Sequence, residues 1–181
     1  MKNLVSFFKL YLKKPKEVSA WLPSLRWVAK KVVSYVPVDA KNIVEYGPGG
    51  GLVLKNILAK VGPQANFLAI EILPEFASEL KKIKDHRLKI VEGNVLKEIK
   101  NFKPKSIDVI LSSIPLSRLS GADRDKLIRD SYDALRPGGR MIIYHQISRL
   151  TLPILEEIFE EVEWSFNPQS LTLYFILVAT K

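Results

Sequence analysis

The chain has no cysteine and only two histidines, His86 and His145, in 181 residues. The first absence excludes disulfide frameworks, thiolate zinc sites, iron–sulfur clusters and cysteine nucleophiles. The second argues against a histidine-rich metal centre, and no metal is expected. Long apolar runs are missing too: the longest, LTLYFILVAT near the C-terminus, is too short for a transmembrane helix and contains threonines. No small-residue cleavage site follows the first apolar stretch, so a secretory signal peptide is not expected. What is present is ordinary globular composition, 47% apolar and 26% charged, too apolar for a disordered chain. At this length a single domain with at most a short appendage is expected, able to bury about two-thirds of its unfolded surface without a covalent staple. A cytoplasmic protein follows, either soluble or held at a membrane surface.

The formal net charge is +9. Residues 1–31 hold eight basic residues and one acid, a net +7, whereas the other 150 hold 20 basic and 18 acidic residues, a net +2. The basicity therefore belongs to the N-terminus and points to an anionic surface as partner. At helical spacing Lys2, Ser6, Lys9, Lys13 and Lys16 share one arc, while Leu4, Val5, Phe7, Phe8, Tyr11 and Leu12 fill the other side. A basic, aromatic-rich amphipathic helix of this kind lies in a bilayer interface, with Lys2, Phe7, Phe8, Lys9, Lys13 and Lys14 as the expected membrane contacts. The alternative is a helix packed on the domain with its lysines solvated. An RNA-binding arm would more often lack so wide an apolar face.

Pro15 marks a break, and a second amphipathic helix is predicted over Leu25–Tyr35, ending before Pro37. From residue 41 onward apolar runs alternate with helical patterns. Strands are predicted at Asn42–Glu45, Phe67–Glu71, Leu88–Val91, Ile107–Leu111, Met141–Tyr144 and Leu171–Ala179. Helices are predicted at Leu52–Lys60, Pro74–Ile83, Arg124–Leu135 and Leu152–Phe159. The early strands are near-continuous apolar runs, as required when helices cover both faces of a sheet. The pattern implies βαβ units and a doubly wound, mostly parallel sheet, with the last strand able to pair antiparallel. Two regions follow: residues 1–36 as N-terminal amphipathic helices for membrane docking or as a lid, and residues 37–181 as an α/β domain.

The first strand runs into Glu45-Tyr46-Gly47-Pro48-Gly49-Gly50-Gly51. Four glycines in five positions allow close approach of backbone to a ligand, at the strand end where doubly wound sheets bind ligands. Leu52 and Leu54 stand where a dinucleotide fingerprint needs its third glycine, and no Gly-Lys-Ser/Thr completes a P-loop. A pyrophosphate cradle is therefore disfavoured. Glu71 sits at the tip of the second strand, where a carboxylate can accept from both hydroxyls of a ribose. The third strand ends at Glu92-Gly93-Asn94-Val95, where a polar side chain can reach an adenine edge. The fourth ends at Ser112-Ser113-Ile114-Pro115-Leu116.

In this order, over residues 41–181, the motifs resemble those of class I S-adenosylmethionine (SAM)-dependent methyltransferases. The resemblance implies a Rossmann-like seven-stranded sheet and SAM as cofactor, with S-adenosylhomocysteine as product. It implies that Glu45 and the loop glycines Gly47, Gly49 and Gly51 hold the methionine portion, Glu71 the ribose and Asn94 the adenine amino group. Ile72, Gly93, Val95 and Ser112 complete the expected cofactor-binding set. Most relatives carry Asp where Asn94 stands, but an Asn carbonyl still accepts from that amino group.

The surroundings of this core resemble bacterial phospholipid N-methyltransferases. The basic opening helix, Lys14-Pro15-Lys16, Pro23-Ser24, the Ser112–Leu116 segment and the late Trp164, Asn167-Pro168 and Tyr174 all have counterparts there. Departures are Gly50 for Thr, Ser113 for Gly, Gln169 for a second Pro, and Tyr144-His145-Gln146 for an aromatic-rich segment. The resemblance implies methylation of the amine head group of phosphatidylethanolamine or its partly methylated derivatives, by a monomer peripheral on the inner face of the cell membrane. Ser113, Pro115 and Tyr144 would shape the substrate pocket. Ribosomal RNA adenine dimethylases share the loop and the Glu71-Ile72 segment. Their strand-4 motif is Asn-Leu-Pro-Tyr, whereas Ser112 and Leu116 stand at the Asn and Tyr positions here, so the base-stacking face is missing and nucleic acid is not expected. Their C-terminal helical domain is not expected in 181 residues.

An ethanolamine amine is mostly protonated at pH 7 and must lose a proton before it attacks the sulfonium methyl. His145, at the tip of the fifth strand, is the candidate general base. The alternative makes it a rim residue, with deprotonation left to water. Other acceptors (an RNA adenine or a small-molecule amine) and a non-catalytic SAM- or lipid-binding module are the competing functions on the same fold.

Overall fold

A computed structural model describes residues 23–145, 151–166 and 175–181, with the side chains of 23–25 and 145 left aside. The expected membrane contacts Lys2, Phe7, Phe8, Lys9, Lys13 and Lys14 fall outside these residues. Among those described, helices α1 (Pro23–Tyr35), α2 (Leu52–Lys60), α3 (Pro74–Leu80), α4 (Val95–Glu98), α5 (Gly121–Ala134) and α6 (Leu152–Ile158) alternate with seven strands. These are β1 (Asn42–Tyr46), β2 (Asn66–Glu71), β3 (Leu88–Glu92), β4 (Ile107–Ser112), β5 (Leu135–His145), β6 (Glu161–Phe166) and β7 (Phe175–Thr180). They form one sheet in the order β3-β2-β1-β4-β5-β7-β6. The first five pair in parallel, and β7 is antiparallel to both β5 and β6. A seven-stranded, mostly parallel, doubly wound sheet is what the alternation of strands and helices implies.

The parallel strands read as continuous apolar runs because both faces are covered. On one face Val28, Ala29 and Val32 of α1 and Val53, Leu54 and Ile57 of α2 meet Ile43, Phe67, Val109, Leu111 and Ile142. On the other, Leu127 and Ile128 of α5 and Ile154 and Leu155 of α6 meet Val44, Ile70, Ile110, Met141 and Ile143. Alternation along each strand sends neighbouring residues to opposite faces. Thus α1 packs into the core, and Arg140 Nη1 donates to the carbonyl of Tyr35 at 3.0 Å, tying its end to β5.

Two local features differ from expectation. A strand, β6, occupies Glu161–Phe166, where no continuous apolar run exists. Its apolar residues Val162, Trp164 and Phe166 alternate with Glu161, Glu163 and Ser165 at the sheet edge, with Trp164 and Phe166 exposed. The fifth strand, predicted over Met141–Tyr144, begins at Leu135, and its Arg136–Gly139 segment forms a bulge: Ile107 pairs with Leu135, whereas Val109 pairs with Arg140. Gly138 supplies a φ of +72°, and a Cβ on Gly139 would lie 2.8 Å from the Arg136 carbonyl.

Candidate active site

Parallel strands all point their carboxyl ends at one rim of the sheet, so residues distant in sequence converge there. Gly47 N donates to the Ile70 carbonyl at 2.8 Å, Gly93 N to the Glu71 carbonyl at 2.9 Å and Ser113 N to the Tyr46 carbonyl at 3.1 Å. These bonds extend the sheet ladders past the ends of β1, β3 and β4 and hold the three connecting loops to their neighbouring strands. Two shallow surface grooves lie elsewhere, one between α2 and the residues before β3, the other beside α5. Neither is lined by any of the residues converging at the rim.

The glycine loop bends because three of its glycines take positive φ: +68° at Gly47, +55° at Gly49 and +74° at Gly51. At Gly47 an added Cβ would lie 2.5 Å from Ile114 Cγ2, so the loop can pack against the end of β4 only without a side chain. At Gly49 nothing lies within 4 Å of that position, so the backbone there faces open space.

Glu71 is buried and bridges this loop to its own. Its carboxylate accepts from Gly49 N at 3.0 Å and from Leu73 N at 2.9 Å. A carboxylate has about four acceptor sites, so two remain for hydroxyl donors. Ile72, next to it, is 61% exposed, an apolar surface beside the loop. Asn94 caps α4, its side-chain carbonyl accepting from Leu96 N at 2.9 Å. That oxygen keeps a second lone pair for an amino donor. Gly93 precedes it tightly, since a Cβ there would lie 3.1 Å from Glu98 Oε1, and Val95 is buried behind.

Glu45 is wholly buried on β1. Its carboxyl is pushed up to about 7, chiefly by burial, with the hydrogen bond from Tyr144 opposing the rise and the charge of Glu71 adding to it. Tyr144 Oη donates to Glu45 Oε1 at 2.5 Å. Glu45 Oε2 has no hydrogen-bond partner among the described residues. The two side chains meet across β4: Glu45 is level with Leu111, Leu111 with Ile142, and Tyr144 follows two residues later on the same face. The sequence places these residues in separate roles, one for cofactor and one for substrate, and the structure brings them into contact. The signal is the period-two alternation of β5, which puts Ile142 and Tyr144 on the face occupied by Glu45.

At the end of β4, Ser112 is fully buried and its hydroxyl has no partner among the described residues. Ser113 Oγ donates to the Gly47 carbonyl, locking the β4 loop to the glycine loop. Pro115 leads into a single 3₁₀ turn whose first residue, Leu116, is buried at 2% exposure. His145 ends β5 at the same rim, opposite Phe175 in register; its side chain lies outside the described residues.

This combination, a backbone loop facing open space, a pinned carboxylate with spare acceptors and a buried carboxylate with one unpartnered oxygen, fits a ligand bearing hydroxyls and an ammonium. Residues 44–141 match the family model of a methyltransferase domain. The chain belongs to the class I SAM-dependent methyltransferases. Over 177 residues it is 25% identical to an ornithine lipid N-methyltransferase of Singulisphaera acidiphila, covering 94% of this chain and 92% of that one. It is 35% identical over 89 residues to a ribosomal RNA small subunit methyltransferase A of Mycoplasma mobile, covering 49% of this chain but 33% of that protein. A Burkholderia thailandensis 1,6-didemethyltoxoflavin-N1-methyltransferase, solved with S-adenosylhomocysteine, superposes with a TM-score of 0.68 at 15% identity, covering 98% of this chain and 87% of that one. The cofactor of this methyltransferase is SAM. Among its described residues no helix is long and apolar enough to cross a membrane.

Proposed function

We propose that this methyltransferase transfers a methyl group to the amine head group of a membrane lipid while docked on an anionic bilayer. The observation that carries this reading is the similarity to a lipid N-methyltransferase over nearly the full length of both chains, including the segments outside the shared cofactor domain. Phosphatidylethanolamine and an ornithine lipid present the same chemistry, a primary amine on a flexible head group.

SAM, when bound, supplies an activated methyl on a sulfonium, so the protein's work is chiefly positioning and water exclusion. Glu45 would hold the ammonium of the methionine portion, Glu71 the ribose hydroxyls and Asn94 the adenine amino group. The bare backbone at Gly49 lets these contacts be made without a side chain intervening. Ser113, pinned to the Gly47 carbonyl, keeps the β4 loop against the glycine loop, so the acceptor pocket beside Pro115 moves with the cofactor loop. The acceptor amine must arrive as an ammonium and give up a proton, and His145 at the rim of β5 is the group assigned to take it. The basic N-terminal segment would bring the rim to the head-group layer.

RNA adenine methylation is the second reading, favoured by the 35% identity within the cofactor half. Against it stands Leu116, which is aliphatic and buried where those enzymes stack the base.

The test is transfer of labelled methyl from SAM to mixed liposomes. One set contains phosphatidylethanolamine, one an ornithine lipid, each with and without phosphatidylglycerol, and an RNA-only reaction runs alongside. Label in a lipid fraction, raised by the anionic lipid, is the expected outcome. Label only in RNA overturns the lipid reading and leaves the methyltransferase intact.

A further inference from the structure

The pair formed by Glu45 and Tyr144 is not needed to hold the sheet together, because β1 and β5 are already joined through β4 by regular ladders. It consists instead of a buried carboxylate with one oxygen fixed by a phenol and the other left over. We propose that Tyr144 is a positioning residue for the cofactor: it clamps Oε1 of Glu45 from β5, leaves Oε2 for the ammonium of the methionine portion, and thereby ties cofactor affinity to release of a proton from Glu45. This rests on the assignment of Glu45 to the cofactor, and it adds a residue and a pH dependence to that assignment.

Burial favours the neutral form of a carboxyl, and an incoming ammonium favours the charged form. Binding then converts a protonated Glu45 and a ligand ammonium into an ion pair plus one proton released to solvent. Among the described residues, the ionisable groups acting on Glu45 are Tyr144 from β5 and Glu71 from the end of β2. Glu71 is held to the loop by Gly49 N, so its charge is a fixed part of the site. Tyr144 donates its hydroxyl hydrogen to Oε1, a contact that the charged carboxylate accepts most strongly. The hydroxyl thus stabilises the carboxylate that the ligand needs.

The sign follows from Glu45 titrating near pH 7 in the unliganded protein. Below that midpoint affinity falls about tenfold per pH unit, since one proton must leave for each ligand bound. Above it affinity is flat until the ligand ammonium itself titrates. Removing the hydroxyl withdraws a hydrogen bond to the charged form, so the midpoint moves up.

The experiment measures S-adenosylhomocysteine binding to the full chain by titration calorimetry across about pH 5.5 to 8, in buffers of different ionisation enthalpy. This ligand carries the same ammonium and no sulfonium. For the wild type, nearly one proton is released per ligand at the acid end and almost none at pH 8. Tyr144→Phe moves the inflection upward and binds several-fold weaker near pH 6.5, with the gap narrowing by pH 8. Glu45→Gln removes the pH dependence and weakens binding tenfold or more at pH 8. A carboxyl-carbon NMR titration of Glu45 in the unliganded wild type and Tyr144→Phe proteins reports the same shift without any ligand. Wild-type binding that is flat with pH overturns the proposal, as does an inflection that Tyr144→Phe leaves in place. If Glu45→Gln binds like the wild type at pH 8, the assignment of Glu45 to the cofactor falls as well. If Glu45→Gln weakens binding while Tyr144→Phe matches the wild type at every pH, the role of Tyr144 alone falls.

Discussion

Gly47 and Gly49 share a backbone conformation and differ in what surrounds them. Both have positive φ, so an L side chain at either costs about 1–2 kcal/mol in local strain. At Gly47 a methyl would also drive into Ile114 Cγ2, a branch methyl next to the backbone that cannot swing away, and overpacking of this kind costs about 1–3 kcal/mol. Gly47→Ala is therefore expected to lower the urea unfolding free energy by about 2–5 kcal/mol, and Gly49→Ala by about 1–2 kcal/mol. For S-adenosylhomocysteine binding by the folded fraction, Gly49→Ala is the variant that puts a methyl into the open space before the loop, and a loss of tenfold or more is expected. Equal unfolding penalties at the two positions would remove the packing explanation for Gly47. These glycines, with Glu45 and Glu71, were legible in the sequence because a ligand-binding turn needs its backbone at fixed positions along the chain. The contact between Glu45 and Tyr144 was not legible, since it depends on two side chains reaching each other across an intervening strand.

At the scale of elements, Arg87 does the joining at the amino end of β3. It donates to the carbonyl of Leu58 in the last turn of α2 at 2.7 Å and to that of Val61 just past the helix at 2.8 Å, and forms an ion pair with Asp85 at 2.6 Å. A cation at a helix C-terminus satisfies orphan carbonyls and favours the helix dipole. Arg87→Ala is expected to destabilise the protein by about 2 kcal/mol in chemical denaturation, through charge-assisted hydrogen bonds to partly exposed partners. The hydrogen bond from Arg87 holds the Asp85 carboxyl down at about 2. A carboxyl depressed in the folded state stabilises it above the ordinary carboxylate range, and that gain disappears as pH falls toward 2. The stability difference between wild type and Asp85→Asn should accordingly be constant from pH 7 to about 5 and shrink below about 4. A difference that persists unchanged at pH 2 would show that Asp85 acts through its shape and not its charge. The parallel strands were readable because burial on both faces makes them continuous apolar runs. Strand β6 carries only the weaker alternation of Val162, Trp164 and Phe166, so a search for continuous runs passes over it. The Arg136–Gly139 bulge reads as a turn because a bulge uses the same glycine chemistry as a turn.

At the scale of the whole molecule, net +7 of the +9 charge is concentrated in residues 1–31, against a nearly neutral remainder. A cofactor site in the sheet rim does not need this asymmetry, and an anionic surface does. Each lysine held near an anionic leaflet contributes about 1 kcal/mol, and the attraction fades over a Debye length of about 10 Å at 0.1 M salt. Replacing Lys2, Lys9, Lys13, Lys14 and Lys16 by Gln in the full chain removes five such charges. Under the docking proposal, partitioning onto phosphatidylglycerol vesicles falls by about three to four orders of magnitude, with the apolar residues Phe7, Phe8 and Leu12 retaining a residual, salt-insensitive component. Binding of S-adenosylhomocysteine should stay within about twofold, because the loop glycines, Glu45 and Glu71 are held by contacts among β1, β2, β4 and β5. Vesicle co-sedimentation at two salt concentrations, with calorimetry on the same preparations, measures both. Vesicle binding that survives the five substitutions would move docking away from the N-terminal lysines. A parallel loss of cofactor affinity would instead make the segment part of the cofactor site, so that the charge serves the ligand and not the membrane.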